Sequence, residues 1–293
     1  MEIINGIFSS PGKGLRGKLL TLAAGGEEKV VQFPQLRVLA SGIEILHLAT
    51  LIHDDLLDRG EVRRGRPAVW RKWGDKTAVI IGDYLFATAY LMINASSGER
   101  GMSRVNLLIK EMVEAELEEE KEKFRKISFK RYISRIEKKT ARFFQVVCEL
   151  GAEVALFPRE ICLGLGEFGR QLGTAYQLFD DLLDLIGEGN NIGKPVFQDL
   201  RNGVLTLPLL LIAKQPVFNK VLDQVKADGK VKPGVQKKIK SLLIEERVPK
   251  HIWGLIDEYR RRAKKQIKEL GLPHGSLLIA FADRFLSGEP FKN

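Results

Sequence analysis

Six aspartates stand in two copies of one pattern. Asp54, Asp55 and Asp58 close the stretch LATLIHDDLLD, and Asp180, Asp181 and Asp184 lie in YQLFDDLLDL, so each cluster reads D-D-x-x-D. In a helix the outer members, four apart, share one face. Like charges at that spacing repel, burial beside Leu and Ile adds a desolvation cost, and a helix C-terminus disfavours anions further. Divalent cations remove these penalties. Carboxylates are the ligands Mg²⁺ prefers, and it commonly bridges one or two of them to substrate phosphates. A single copy of so short a pattern has a chance origin about half the time. Two copies 126 positions apart, flanked alike as HDDLLD and FDDLLD, do not. Arg63 and Arg64 follow the first copy, and Arg suits bidentate contact with phosphate oxygens. Aspartates, metals and arginines together describe a diphosphate site facing a second anion site.

The elements that must position these groups read as helices. Apolar positions three and four apart predict helices over Leu36–Asp58, Thr77–Ala95, Val105–Lys126, Ile133–Leu156, Ile161–Ile186 and Val204–Lys214. Further helices fit Val235–Glu246, His251–Leu270 and Ser276–Leu286. Gly and Pro mark the joints, among them Gly98, Pro158 and Gly187–Pro195. Helices 36–58 and 161–186, which carry the aspartates, are apolar on most faces and belong inside a bundle. Strand signals are weak, and no 20–50-residue repeat divides the chain, so residues 1–293 read as one all-α domain.

With 293 residues, 44% hydrophobic and 29% charged, the chain can bury a sizeable core, which excludes disorder and collagen-like repeats. Two cysteines, Cys148 and Cys162, exclude a disulfide scaffold and a four-cysteine zinc site, and they suit a reducing compartment. The start, MEIINGIFSS, lacks a basic n-region and reads as no signal peptide. Apolar runs such as Leu205–Ala213 are too short to span a bilayer, so the expected location is the cytoplasm. The net charge of +10 fits nucleic acid, a membrane surface or a small anionic substrate.

These motifs together resemble the trans-isoprenyl diphosphate synthases of the polyprenyl synthetase family, over roughly positions 12 to 286. Beyond the two aspartate motifs, the likeness rests on Arg63-Arg64-Gly65, Gly82-Asp83-Tyr84-Leu85, Lys139-Thr140-Ala141, Gln177, Gly193-Lys194-Pro195, Asp199-Leu200 and Thr206-Leu207-Pro208, in the family's order. The resemblance implies a helical bundle around a central cavity, of the class I isoprenoid synthase type, usually dimeric. It implies an allylic diphosphate joined head to tail to isopentenyl diphosphate, with Mg²⁺ as cofactor. By position, Asp54, Asp58 and Asp180 would be the main metal ligands, with Asp55, Asp181 and Asp184 direct or through water. Arg63, Lys139 and Lys194 would hold the allylic diphosphate; Lys13, Arg16, His47 and Arg64 would hold isopentenyl diphosphate. Thr140 and Gln177 would face the forming cation.

The chain departs from the family pattern at three places. Gly14 replaces a front-motif Arg, Val204 replaces a Lys before T-L-P, and Glu119 stands where the family often has Gln. The front motif also lies very near the start, so the helix that usually precedes it is largely absent. The run Glu111–Glu122 around Glu119 reads as a solvated acidic face. These departures motivate the alternative of a subunit that needs a partner chain. A nucleic-acid-binding protein is disfavoured, since no helix-turn-helix or zinc signature accompanies the charge. A terpene cyclase is disfavoured by the second D-D-x-x-D.

Product length follows from helix geometry. Residues four and five before Asp54 are Thr50 and Ala49, one turn deeper along the wall, and both are small. Leu46 and Ile45 form the next turn. A bulky residue at that level would close the cavity, so its absence predicts a product longer than fifteen carbons, in the range of thirty or more. Lys250–Lys268 holds seven Lys and Arg against Asp257 and Glu258 within its core. It reads as a solvated outer helix face, with attraction to an anionic membrane surface as the second reading.

Overall fold

The computed structural model describes residues 6–7, 12–187 and 196–285. In chain order the helices are α1 (Leu15–Ala23), α2 (Glu27–Gln32), α3 (Gln35–Leu57), α4 (Val69–Trp73), α5 (Asp75–Lys121), α6 (Phe129–Ile136), α7 (Arg142–Val154) and α8 (Arg159–Ile186). They continue as α9 (Gln198–Arg201), α10 (Leu207–Ile212), α11 (Pro216–Asp228), α12 (Pro233–Glu245), α13 (Val248–Leu270) and α14 (Gly275–Phe285). Among the described residues the β structure is one hairpin, β1 (Val62–Arg63) against β2 (Arg66–Pro67). The all-α expectation holds. The two motif helices, α3 and α8, lie inside the bundle: α3 packs along α5, and α8 is flanked by α7 and α13.

Several boundaries differ from the sequence reading, each for a local reason. The helices expected over 77–95 and 105–126 are one long element, α5, kinked at Gly98 (φ 64°). Ser96 and Ser97 donate their hydroxyls to the carbonyls of Met92 and Ile93, at 2.7 and 2.8 Å, which loosens the turn ahead of the kink without ending the helix. The expected helix 133–156 is three pieces: α6, a π-helical turn over Glu137–Ala141, and α7. α6 begins about one turn earlier than expected because the Ser128 side chain caps it, accepting from the Arg131 N–H at 3.2 Å. α1, α2 and α11 had no counterpart in the apolar pattern.

The contact between α7 and α8 depends on glycine. A Cβ on Gly169 would lie 2.4 Å from the Phe144 carbonyl oxygen, and one on Gly173 would lie 2.7 Å from the Ala141 Cα. The two backbones therefore touch, which brings the π-helical turn against the middle of α8. Most core side chains form one cluster running from Leu19 to Ala282. A smaller one (Ala49, Ile52, Ala78, Ile81 and Leu85) joins α3 to α5. By length and composition, α3 and α5 would qualify to cross a bilayer, contrary to the sequence reading. In α3 the apolar surface is spent on the core, with Leu36, Leu39, Ile43, Leu46 and Ala49 fully buried.

Candidate active site

The first aspartate motif occupies the last turn of α3. Asp55 is buried, and both of its carboxylate oxygens face the guanidinium of Arg63: Nε donates at 2.9 and 3.1 Å, and Nη2 donates as well. The hairpin makes this possible. Arg64 and Gly65 both take positive φ (53° and 73°) between β1 and β2, which turns the chain back after Arg63. A left-handed backbone is costly for Arg and recurs at functional sites. Arg63 is held charged, against the cost of burial, by Asp55, then Asp54, then Asp180. Its charge is therefore sustained from both aspartate motifs.

Asp54 and Asp58 differ from Asp55. Among the described residues no hydrogen-bond donor or ion-pair partner reaches the carboxylate of either. Burial pushes Asp54 up to about 7, with Glu116 and Asp58 adding repulsion and Lys139 and Arg63 partly offsetting it. Asp58 keeps an exposed surface, yet the surrounding protein strips hydration from it and raises it to about 6, helped by Glu116 and Glu119. The chemistry of an adjacent pair of under-stabilised carboxylates suits a cation.

The second motif repeats the division of labour. Asp181 is buried, and both its oxygens are taken: Tyr132 Oη donates to Oδ2 at 2.5 Å and Gln177 Nε2 donates to Oδ1 at 2.7 Å. Burial still raises it to about 7. Asp184, also buried, accepts from the backbone N–H groups of Gln198 (3.1 Å) and Asp199 (3.3 Å) at the start of α9. Asp180 lies on the α8 turn whose charge reaches Arg63. Thus Asp55, Asp181 and Asp184, expected as direct or water-mediated metal ligands, spend their oxygens on protein donors. Among the described residues no three His, Cys, Asp or Glu side chains converge as a ready-made cage. Carboxylates offered singly or in pairs suit Mg²⁺, which keeps several of its own waters.

The K-T-A stretch is the π-helical turn, a feature common at functional sites. Thr140 Oγ1 donates to Gln177 Oε1 at 2.6 Å, so Thr140, Gln177, Asp181 and Tyr132 form one hydrogen-bonded chain. Lys139 Nζ sits between Glu116 (2.7 Å) and Glu119 (2.6 Å). Burial works against its charge, and Glu119 and Glu116 more than offset that. The buried Arg135 holds Glu119 from behind, Nε to Oε2 at 3.3 Å, and reaches Glu122 and the Leu205 carbonyl. Glu118 pairs with Arg131 (3.1 Å) and Lys138 (3.3 Å), and Glu111 with Arg142 (3.0 Å). The acidic run is therefore not a solvated face: its inward members cross-pair with the basic run 131–142.

A second cationic group lies beside the first motif. Burial lowers Arg16 to about 10 even with Tyr176 and Glu44 pulling it back, and its Nε is buried without a partner. Its guanidinium carbon stacks 4.9 Å from the Phe143 ring centre and 5.1 Å from that of Phe144. His47 is kept well below its usual value by burial and then by Arg16, Arg64 and Arg63, so it is neutral at pH 7. Gly12 lies against the Arg64 guanidinium, where a Cβ would come within 2.5 Å of Nη2. The structure brings together Arg16, His47, Arg63 and Arg64. Lys13 is exposed, and Lys194 lies outside the described residues. Ala49 is fully buried against Ala78, Ile81 and Leu85 of α5, whereas Thr50 is half-buried and its hydroxyl donates to the His47 carbonyl at 2.8 Å. Of the two small residues expected to leave the cavity open, Ala49 is committed to the α3–α5 core, and Thr50 keeps some exposed surface.

Sequence reading did not single out Tyr132, Glu116 or Arg135. Tyr132 and Arg135 lie in the amphipathic stretch that leads into K-T-A, where an aromatic and an arginine look like ordinary core and surface residues.

The chain matches the polyprenyl synthetase family profile over residues 1–243. It is 34% identical over 205 residues to component 2 of the heptaprenyl diphosphate synthase of Geobacillus stearothermophilus, covering 70% of this chain and 63% of that one. Among solved structures, a Caulobacter crescentus polyprenyl synthase complexed with calcium and isoprenyl diphosphate superposes with a TM-score of 0.88 at 27% identity, over 96% of this chain and 87% of that one. The heptaprenyl diphosphate synthase of Staphylococcus aureus gives 0.86 at 29% identity, over 98% and 90%.

Proposed function

The chain belongs to the polyprenyl synthetase family, and from that premise we propose that it is a trans-prenyltransferase condensing an allylic diphosphate with isopentenyl diphosphate, head to tail. One observation carries this reading: Arg63 is locked onto Asp55 while its charge is sustained by Asp54 of one motif and Asp180 of the other. A diphosphate placed there meets a fixed guanidinium with carboxylates on both sides. Asp54, Asp58 and Asp180 would hold Mg²⁺ ions, which neutralise the diphosphate and assist its departure as a leaving group. Lys139 and, by position, Lys194 would steady the same diphosphate. Arg16, Arg64, neutral His47 and, at the surface, Lys13 would take isopentenyl diphosphate. The Thr140 hydroxyl and Gln177 amide oxygens would lie towards the allylic cation, where an oxygen dipole stabilises positive charge.

The small Thr50 supports a product longer than fifteen carbons, in the range of thirty or more. A heptaprenyl synthase component among the relatives supports the same range. It also supports a second reading, a catalytic subunit that works with a partner chain. A homodimer is the simpler assembly, and the outward apolar residues of α5 (Ile80, Tyr84, Leu91, Val113 and Leu117) supply a face for it. Two buried, unpaired thiols, Cys148 and Cys162, fit a cytoplasmic location. The experiment is to incubate the purified chain with Mg²⁺, farnesyl diphosphate and isopentenyl diphosphate and resolve the products by chromatography. Turnover by the chain alone establishes the reaction and removes the partner requirement. Products stopping at fifteen or twenty carbons overturn the length assignment.

A further inference from the structure

Residues 196–285 carry 18 Lys and Arg against 9 Asp and Glu, a net +9, almost the whole +10 of the chain. This excess is not aimed at the diphosphate site. The groups acting most strongly on Asp54, Asp58, Arg63 and His47 all come from residues before 196. The cations near that site are also committed: Arg131, Arg135, Lys138, Lys139 and Arg142 face the acidic run of α5.

Some of the carboxyl-terminal cations are paired as well: Lys232 with Asp228, Arg260 with Asp257, Arg262 with Glu258, Lys264 with Asp283 and Lys265 with Glu269. Others are not. Lys214, Lys220, Lys226, Lys237, Lys238, Arg247 and Lys250 are exposed, and among the described residues none of them makes an ion pair. Lys237 and Lys238 are adjacent and exposed on α12, and Arg247 and Lys250 follow two and five residues beyond its end, after the exposed Glu245 and Glu246. Like charges crowded this way repel one another in water. They are favourable when an anionic surface approaches.

The same region exposes apolar side chains. Ile244 is 70% exposed at the end of α12, and Leu211 of α10 is 38% exposed. Leu211 opens onto a groove of about 640 Å³ that it lines with Glu246, Arg247, Val248, Lys250 and Leu255. Arg247 takes a left-handed backbone (φ 54°), with its N–H on the Ile244 carbonyl at 3.0 Å, so one tight turn joins the exposed Ile244 to a cation that lines the groove.

We propose that the α10–α13 surface docks this protein on an anionic lipid bilayer. The cations supply attraction that reaches about 8–10 Å at physiological salt. Leu211 and Ile244 then enter the interfacial layer, which a nucleic-acid backbone would not accommodate. The benefit of such docking rests on the proposed activity, since a long prenyl chain leaves water readily. The docking itself is read without turnover, so either reading can fail alone.

The test is co-sedimentation of the full chain with phosphatidylcholine vesicles, with and without about three-tenths phosphatidylglycerol, at about 0.05 and 0.5 M salt. Binding is expected only to the anionic vesicles at low salt. The exposed pair Arg247→Glu/Lys250→Glu removes two attractions and adds two repulsions, so the partition coefficient should fall by between about thirtyfold, for the lost attractions alone, and about a thousandfold. Lys237→Glu/Lys238→Glu provides an independent pair should the first fail to fold, and Arg37→Glu, on α3, should bind as the unmodified chain does. Equal binding to neutral vesicles, binding indifferent to both reversals, or displacement from vesicles by duplex DNA of equal charge would each overturn the proposal.

Discussion

Removing the Tyr132 hydroxyl isolates the buried support of the second aspartate motif. In Tyr132→Phe the ring stays in its fully buried place and Asp181 loses the 2.5 Å donor on Oδ2, keeping only Gln177 on Oδ1. A hydrogen bond to a charged group contributes about 1.5–3 kcal/mol, and a neutral pair about 1 kcal/mol. Which figure applies depends on pH. Burial raises Asp181 to about 7 in the folded chain, against about 4 when unfolded. The folded state therefore holds a proton that the unfolded state has released. This group's contribution to stability falls as pH rises from about 4 to 7. At pH 5 Asp181 is neutral and the substitution should cost about 1 kcal/mol. At pH 8 it is charged and the cost should reach about 2–3 kcal/mol. Urea unfolding of both chains at the two pH values, with divalent metal chelated, reads this directly. A double-mutant cycle with Asp181→Asn should show coupling at pH 8 that shrinks at pH 5. A cost equal at the two values, or below about 0.5 kcal/mol at pH 8, would refute the assignment of Asp181 as a buried anchor.

Asp54→Ala or Asp180→Ala should lower incorporation of labelled isopentenyl diphosphate by about a hundredfold or more, and near-normal turnover in either would overturn the site. Because Asp54 and Asp58 are raised to about 7 and 6, cations must displace protons there. The Mg²⁺ concentration for half-maximal activity should accordingly fall as pH climbs from about 5.5 to 8, and a flat dependence would contradict this. Thr50→Phe should shorten the product seen by chromatography. Ala49→Phe, inside the packed α3–α5 contact, should instead destabilise the fold by about 1–3 kcal/mol. Glu119→Gln keeps a hydrogen-bond acceptor for Lys139 and removes one competing charge. The allylic KM should drop about threefold while kcat changes less.

The aspartate motifs, the arginine pair and K-T-A are legible in the sequence because each is a local pattern. The motif helices are legible too, since each carries a long apolar periodicity. What the pattern does not show is the rank of the aspartates within each motif. That rank is set by donors that arrive from elsewhere: Arg63 across a hairpin whose turn is Arg64-Gly65, Tyr132 from α6, and the backbone of Gln198 and Asp199. The cross-paired charges are a different matter, because a signal for them was present. Glu111 meets Arg142, Glu116 and Glu119 meet Lys139, and Glu122 meets Arg131 and Arg135. One index rises broadly as the other falls, as antiparallel helices require. Two runs of opposite charge, each at helical spacing and joined by a short connection, carry that expectation on their face.

Net charge shows the same limit more sharply. A value of +10 with six aspartates set aside for metal suggests a basic excess directed at substrate. The structure places it elsewhere. The basic run 131–142 is balanced almost one for one by Glu111–Glu122, and such pairing limits fixed positive charge that would hold a diphosphate product as firmly as its substrate. Lys139 between two carboxylates can engage a phosphate only by giving up one of them, so its grip is moderated. The unbalanced cations, Lys214, Lys220, Lys226, Lys237, Lys238, Arg247 and Lys250, lie between α10 and the start of α13, and among the described residues none of these seven has an ion-pair partner. Charge that is neutralised serves binding with release, and charge left bare serves attraction at a distance. A sum over the whole chain cannot separate those two uses, and pairing in space does.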